Sequence, residues 1–250
     1  MNMMGGKWRQ GRKIAESIRP VLTKDKTYYE PFCGALSVAI RISEFFNGKM
    51  IMSDANESLI NMWKEIFRGW EPPDIVTEEM YNEVKNIIDP KDPMTAYCGH
   101  GMSFGGKWFG GYARNNRKVE RYTELKKSIN FKKQTILKTI NCNNIKFKVS
   151  DYSKIVDSNQ IFYLDPPYSM RTKAYPVSIN GSEFWDYARS LVKLKNWVFI
   201  TEFKFPNDFT PIYSFGDTIV RYGSLKKEKI SEQLIIHKDQ LNKYNDIIIN

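Results

Sequence analysis

Four apolar or aromatic residues in succession, Ile161-Phe162-Tyr163-Leu164, run straight into Asp165-Pro166-Pro167-Tyr168. A short apolar run of this kind reads as a buried strand, and it must end at Leu164 or Asp165 because neither proline can donate to a ladder. The carboxylate of Asp165 is therefore expected at a strand's carboxyl end, the edge at which open α/β sheets bind ligands. Residues before proline are held extended, so Asp165 and Pro166 form a stiff tip. That tip offers a carboxylate, free carbonyls and the ring of Tyr168, a set that suits a planar group carrying an NH2.

Upstream, the pattern is strand, helix, strand, helix. Thr27 to Phe32 reads as a strand, Ser37 to Phe46 as a helix and Lys49 to Ser53 as a second strand. The helix from Asn56 carries Leu59, Ile60, Trp63, Ile66 and Phe67 on one stripe. A short helix from about Trp8 to Arg19 precedes them and stops at Pro20. This βαβα order predicts an α/β fold with a parallel sheet. Glu71-Pro72-Pro73 breaks the pattern, and residues 71 to 141 read as a helical insertion with helices over Met80 to Ile88 and from Val119 to Ile140. Ile145 to Val149 resumes the sheet, Ser182 to Leu194 is a helix and Trp197 to Thr201 a strand. Thr218 to Tyr222 and Gln233 to His237, either side of a Lys-rich stretch, are expected to pair as a hairpin. The division expected is thus 1–70 with 142–250 as one domain and 71–141 as the insertion.

Charge narrows the partner. The chain's net charge is +10, and from His100 to Ile140 ten Lys or Arg stand against only Glu120 and Glu124. Lys107, Arg114, Arg117, Lys118, Arg121, Lys126 and Lys133 lie among these cations, as does Lys132, and Trp108, Phe109, Tyr112 and Tyr122 are interleaved with them. Phosphate clamps beside stacking rings describe a nucleic-acid face. Gly99 to Gly111 holds six glycines and reads as a flexible aromatic loop. Gly101 to Lys107 fits the G-x-x-x-x-G-K phosphate loop, but Trp108 stands where Ser or Thr would hold magnesium, and no apolar strand precedes it. Three cysteines and two histidines without ligand spacing give neither a disulfide framework nor a zinc site. No apolar run approaches the roughly 20 residues that span a bilayer, and Met1 to Lys7 has no apolar signal core. A soluble, cytoplasmic monomer without metal is expected.

Three further clusters sit where strands end. Glu30-Pro31-Phe32-Cys33-Gly34-Ala35-Leu36-Ser37 joins the first strand to its helix, and Gly34 permits close backbone approach to a ligand. Asp54 ends the second strand, placed either for ribose hydroxyls or as a cap for the helix from Asn56. Asp151-Tyr152 follows the Ile145 strand, where a simple turn aspartate is the alternative.

Joined, Gly5-Gly6-Lys7, Glu30 to Val38, Ser53-Asp54-Ala55-Asn56, Asp151-Tyr152 and Asp165-Pro166-Pro167-Tyr168 resemble, in order and spacing, the Dam-type DNA adenine-N6 methyltransferases. The resemblance covers nearly the whole chain. It implies a Rossmann-like S-adenosylmethionine domain with a terminal antiparallel hairpin and a target-recognition insertion that binds double-stranded DNA. Met3, Lys7, Glu30, Phe32, Gly34, Ser37, Asp54, Asp151, Tyr152 and Asp165 would line the cofactor site. Asp165, Pro166, Pro167 and Tyr168 would act on an adenine flipped out of the duplex, with Tyr168 stacked on it. Many members carry tryptophan at the position of Met3 and glycine at that of Leu36, and the Arg-x-Asn pattern of GATC-specific members is not matched. An RNA or protein-amide N-methyltransferase, or a degenerate DNA-binding protein on the same fold, are the alternatives.

Overall fold

Residues 3, 5–114, 121–167, 181–222 and 226–249 are described by a computed structural model. The first elements are α1 (Gly11–Ile18), β1 (Tyr28–Glu30), α2 (Ala39–Ile42), β2 (Met50–Asp54) and α3 (Glu57–Arg68). A helical stretch follows, with α4 (Glu78–Ile87), α5 (Pro93–Ala96) and α6 (Arg121–Thr139), before β3 (Ile145–Val149) and β4 (Ile161–Leu164). Then come α7 (Gly181–Lys193), β5 (Trp197–Glu202), β6 (Phe209–Tyr222), β7 (Lys226–His237) and α8 (Lys238–Ile249).

The strands form one sheet in the order β3-β2-β1-β4-β5-β7-β6. β1 to β5 pair in parallel, while β7 runs antiparallel to both β5 and β6. This is the Rossmann-like α/β sheet with an antiparallel terminal hairpin. Strand order reverses between β1 and β4, so the crevice at their carboxyl ends is where such a sheet takes a ligand.

Central strands are apolar because both faces are covered: every residue of β4 and β5 is buried. Their side chains alternate between two cores. Tyr28, Tyr163, Phe199 and Ile236 face a core shared with α1, α2, α3 and α6, whereas Tyr29, Phe162, Val198 and Ile235 pack with Phe184, Tyr187 and Leu191 of α7. Edge strand β3 carries exposed Lys146 and Lys148, the charges that discourage another strand from adding there. Tyr81, Tyr97, Leu125, Ile129 and Ile136 of the 71–141 stretch join the first core, so that stretch shares its apolar interior with the sheet.

Two expectations are corrected, and one element is added. Thr218 to Tyr222 does not pair with Gln233 to His237: Thr218 lies opposite Ile230 and Tyr222 opposite Lys226, while Gln233 lies opposite Ser214 and His237 opposite Phe209. The Lys-rich residues between the apolar runs are themselves strand, so the hairpin is longer than those runs. The Ser37 to Phe46 helix shrinks to α2, because Leu36 takes a left-handed φ of 56° ahead of it and tight turns follow it. Finally, α8 escaped the sequence reading, although Leu241, Tyr244 and Ile247 give it a helical stripe; the Tyr244 hydroxyl donates to the Ser17 carbonyl at 2.7 Å and ties it to α1.

Candidate active site

The turn after β1 is bent by its backbone. Gly34 has φ 45°, its N–H donates to Asp54 Oδ2 at 3.2 Å, and its carbonyl accepts from Trp63 Nε1 at 2.9 Å. Asp54, at the end of β2, also accepts from the Asn56 N–H at 2.9 Å through Oδ1. Asn56 is the helix cap, its Oδ1 accepting from the Leu59 N–H. Asp54 thus braces the Gly34 turn instead of capping α3.

A cavity opens over these strand ends. It is lined by Met3, Lys7, Glu30, Phe32, Gly34, Ser37, Asp54, Asp151, Tyr152, Asp165, Pro166 and Pro167, with Gly5, Gly6, Leu59 and His100 among its further walls. Every residue expected at the cofactor site therefore borders one cavity. Met3 lies over Gly34, its sulfur 3.8 Å from where a Cβ would project. The rings of Phe32 and Tyr152 pack at 5.2 Å and form an aromatic wall. Asp151 accepts from the N–H and the hydroxyl of Ser153, so it is a turn aspartate that also borders the cavity. Tyr168 lies outside the described residues.

Asp165 is held by Lys7 and Thr201. Its Oδ1 receives the Lys7 ammonium at 2.6 Å and the Thr201 hydroxyl at 2.8 Å, and Tyr163 in turn donates to Thr201 at 3.0 Å. Asp165 itself borders the cavity. Lys7, only 3% exposed, also pairs with Glu232 of β7 at 3.1 Å. Burial works against its charge, yet Asp165 and Glu232 together hold its pKa above the ordinary lysine value. Burial pushes the Asp165 carboxyl up, with Lys7 opposing. Burial also lifts Glu30 to about 8, Glu202 to about 7 and Asp54 to about 6. Cys33 is buried and its thiol is pushed well up by burial, as befits a structural residue.

The basic stretch is less free than its composition suggests. Lys132 is buried: its ammonium donates to the Ala35 carbonyl of the β1 turn, and desolvation lowers its pKa to about 8. It contributes nothing to a surface charge. Arg114 forms a two-pronged pair with Glu78, and Lys126 pairs with Asp74 at 2.6 Å. Trp108 packs on His100 and Phe109, and Tyr112 packs on Tyr81 and donates to the Val76 carbonyl. Lys107, Lys127 and Lys138 are exposed, Lys133 partly so, and Arg121 opens α6. Arg117 and Lys118 lie outside the described residues. The ring most available on the glycine-rich loop is Phe104, 75% exposed, which the sequence reading passed over.

That loop is also not slack. Phe104 N–H donates to Gly111 O and Phe109 N–H to Gly99 O, both at 2.8 Å. A Cβ on Gly99 would meet the Trp108 ring at 2.5 Å and one on Gly101 would meet Leu125 at 2.3 Å, so these glycines serve close packing.

Among the described residues no group of His, Cys, Asp and Glu could hold a metal ion, and no helix is long and apolar enough to cross a membrane. No curated protein sequence matches the chain. Among solved structures it is similar to an rRNA methyltransferase, AviRa, from Streptomyces viridochromogenes, at 14% identity and a TM-score of 0.42, covering 93% of this chain and 87% of that one. TrmN from Thermus thermophilus is similar at 9% identity and a TM-score of 0.39, covering 90% and 48%. The methyltransferase family whose model matches residues 4–96 implies S-adenosylmethionine as the donor of such an enzyme. The walls fit such a molecule, since the acids Asp54 and Asp165 suit a cationic donor, and Phe32, Tyr152 and Leu59 suit a planar base. Residues 4–96 match the model of the D12 class N6 adenine-specific DNA methyltransferase family, and with the sheet around them they support an enzyme that transfers a methyl group.

Proposed function

We propose that this chain methylates the N6 amino group of adenine in double-stranded DNA, acting on a base flipped into the mouth of the cavity. The observation that carries this is Asp165: a carboxylate pinned through Oδ1 by Lys7 and Thr201 that borders the cavity together with Pro166 and Pro167. The match of residues 4–96 supports the same reading.

An adenine amino nitrogen is a weak nucleophile because its lone pair is delocalised into the ring. Asp165 Oδ2 and the Pro166 carbonyl would accept its two N–H protons and localise the pair on nitrogen. S-adenosylmethionine, when bound, supplies an electrophilic methyl on a positively charged sulfur. Asp165 then faces the positive charge that grows on nitrogen, and its fixed position means no reorganisation is needed at that moment. The surplus proton leaves through the same carboxylate to water. By the resemblance of Asp165-Pro166-Pro167-Tyr168, Tyr168 would supply the ring that stacks on the flipped base.

Flipping costs a few kcal/mol, which phosphate contacts offset. Within the 71–141 insertion, Lys107, Lys127 and Lys138 are exposed cations and Lys133 a half-exposed one, and Phe104 can wedge between base steps. The expected result with tritiated donor is transfer to duplex DNA, with N6-methyladenine in the nucleoside digest. Label on RNA or on protein with none on DNA overturns this assignment.

A further inference from the structure

His100 is buried, borders the donor side of the cavity, and is used by none of the steps above. It sits in a wide π turn, Tyr97–Gly101, a backbone form frequent at functional sites. Its hydrogen bonds run two ways. Nδ1 lies 3.1 Å from the Gly106 carbonyl and Nε2 lies 3.2 Å from Asn56 Nδ2. A carbonyl can only accept, so Nδ1 carries the proton and Nε2 accepts from the Asn56 amide. The Asn56 assignment is fixed independently, since its Oδ1 accepts from Leu59 N–H. Burial keeps the imidazole neutral, with its pKa lowered to about 4.

One continuous line of bonds results. It starts at the Gly34 N–H, passes through Asp54 and Asn56 to His100, and ends at Gly106 on the glycine-rich loop. On the loop side the His100 ring packs against Trp108 at 4.8 Å. Anything that shifts Asp54 or the Gly34 turn is thereby felt at the loop that carries Phe104 and Lys107.

We propose that His100 is a positioning residue that couples occupancy of the donor cavity to the conformation of loop 99–113, so that the substrate-facing loop is set when the donor is in place. This rests on reading the cavity as the donor site. Coupling between sites is reciprocal, so a duplex held by the loop also tightens donor binding. Contiguity alone does not establish coupling, and the test must read it directly.

Hydrogen exchange of the full chain, with and without S-adenosylhomocysteine at saturation set by each protein's own calorimetric Kd, provides that reading. Asn56→Ser keeps a capping oxygen for α3 but is too short to reach His100, and His100→Leu removes the ring's polar atoms. In the wild-type chain, the ligand is expected to slow exchange across 99–113 by about fivefold or more. In Asn56→Ser and His100→Leu, each compared at saturation by its own Kd, the slowing is lost. A histidine that only filled space would leave the ligand-dependent slowing unchanged in Asn56→Ser, and that result overturns the proposal. So does binding to the wild-type chain with no change in the loop. Failure of the wild-type chain to bind at all overturns the donor-site reading, and this inference with it.

Discussion

Burying an ammonium costs several kcal/mol unless carboxylates compensate it, and Lys7 is compensated twice, by Asp165 at the tip of β4 and by Glu232 on β7. Its charge in turn opposes the upward push of burial on the Asp165 carboxyl. Lys7→Met removes that support, so the acid limb of the pH profile for methyl transfer should move to higher pH; an unmoved limb would show that Thr201 alone sets Asp165. Leu36 offers a second test. It occupies a left-handed φ of 56° where glycine would be at ease, but it is fully buried. Leu36→Gly relieves about 1–2 kcal/mol of backbone cost and loses about 2–5 kcal/mol of buried side chain. Denaturant unfolding should therefore show a net loss, and a gain would mean strain outweighs packing there. Glu30 carries a pH prediction. Folded, it holds its proton up to about 8; unfolded, it releases it near 4.5. Folding takes up a proton between those values, so this residue's contribution to stability is full below 4.5 and lost as pH rises through about 8. In thermal scans Glu30→Gln should gain on the wild type between about pH 5 and about pH 9, and a constant gap would contradict a protonated Glu30.

Elements differ in how plainly the sequence announced them. β4 and β5 were visible because strands buried on both faces are written as unbroken apolar runs, and α3 because its stripe and its Asn56 cap are local signals. The gathering of Glu30, Asp54, Asp151 and Asp165 was visible too, since each follows a parallel strand and all parallel strands end on one edge. Lys132 was misplaced for a physical reason: a lysine on a basic amphipathic helix looks solvated, and only the tertiary fold reveals the Ala35 carbonyl it meets. Tyr112 was likewise drawn inward by partners far along the chain, Tyr81 and the Val76 carbonyl, and Trp108 by Gly99 and His100 across its own loop. The exposed cations of this lobe make a direct prediction. Lys107→Glu with Lys127→Glu should weaken duplex binding and flatten its salt dependence by about 0.9 in log–log slope for each phosphate no longer neutralised. Equal affinities at two ionic strengths would move the duplex elsewhere on the surface.

At the scale of the whole molecule, the sheet brings the ends of its parallel strands to one edge, where the proposed function would have a cationic donor meet a planar acceptor, and the 71–141 stretch shares its core with that sheet. Lys132 and His100 reach from that stretch to the turns bordering the cavity, so the proposed recognition lobe and the cavity are built on common packing. All of this requires Asp165 to be the group that receives the amine. Single-turnover transfer from S-adenosylmethionine to duplex DNA, measured for wild type and Asp165→Ala with donor binding checked by calorimetry, asks that question most directly. The account predicts that donor still binds and that transfer falls by about a thousandfold. Transfer at the wild-type rate by a folded, donor-bound Asp165→Ala chain would contradict it.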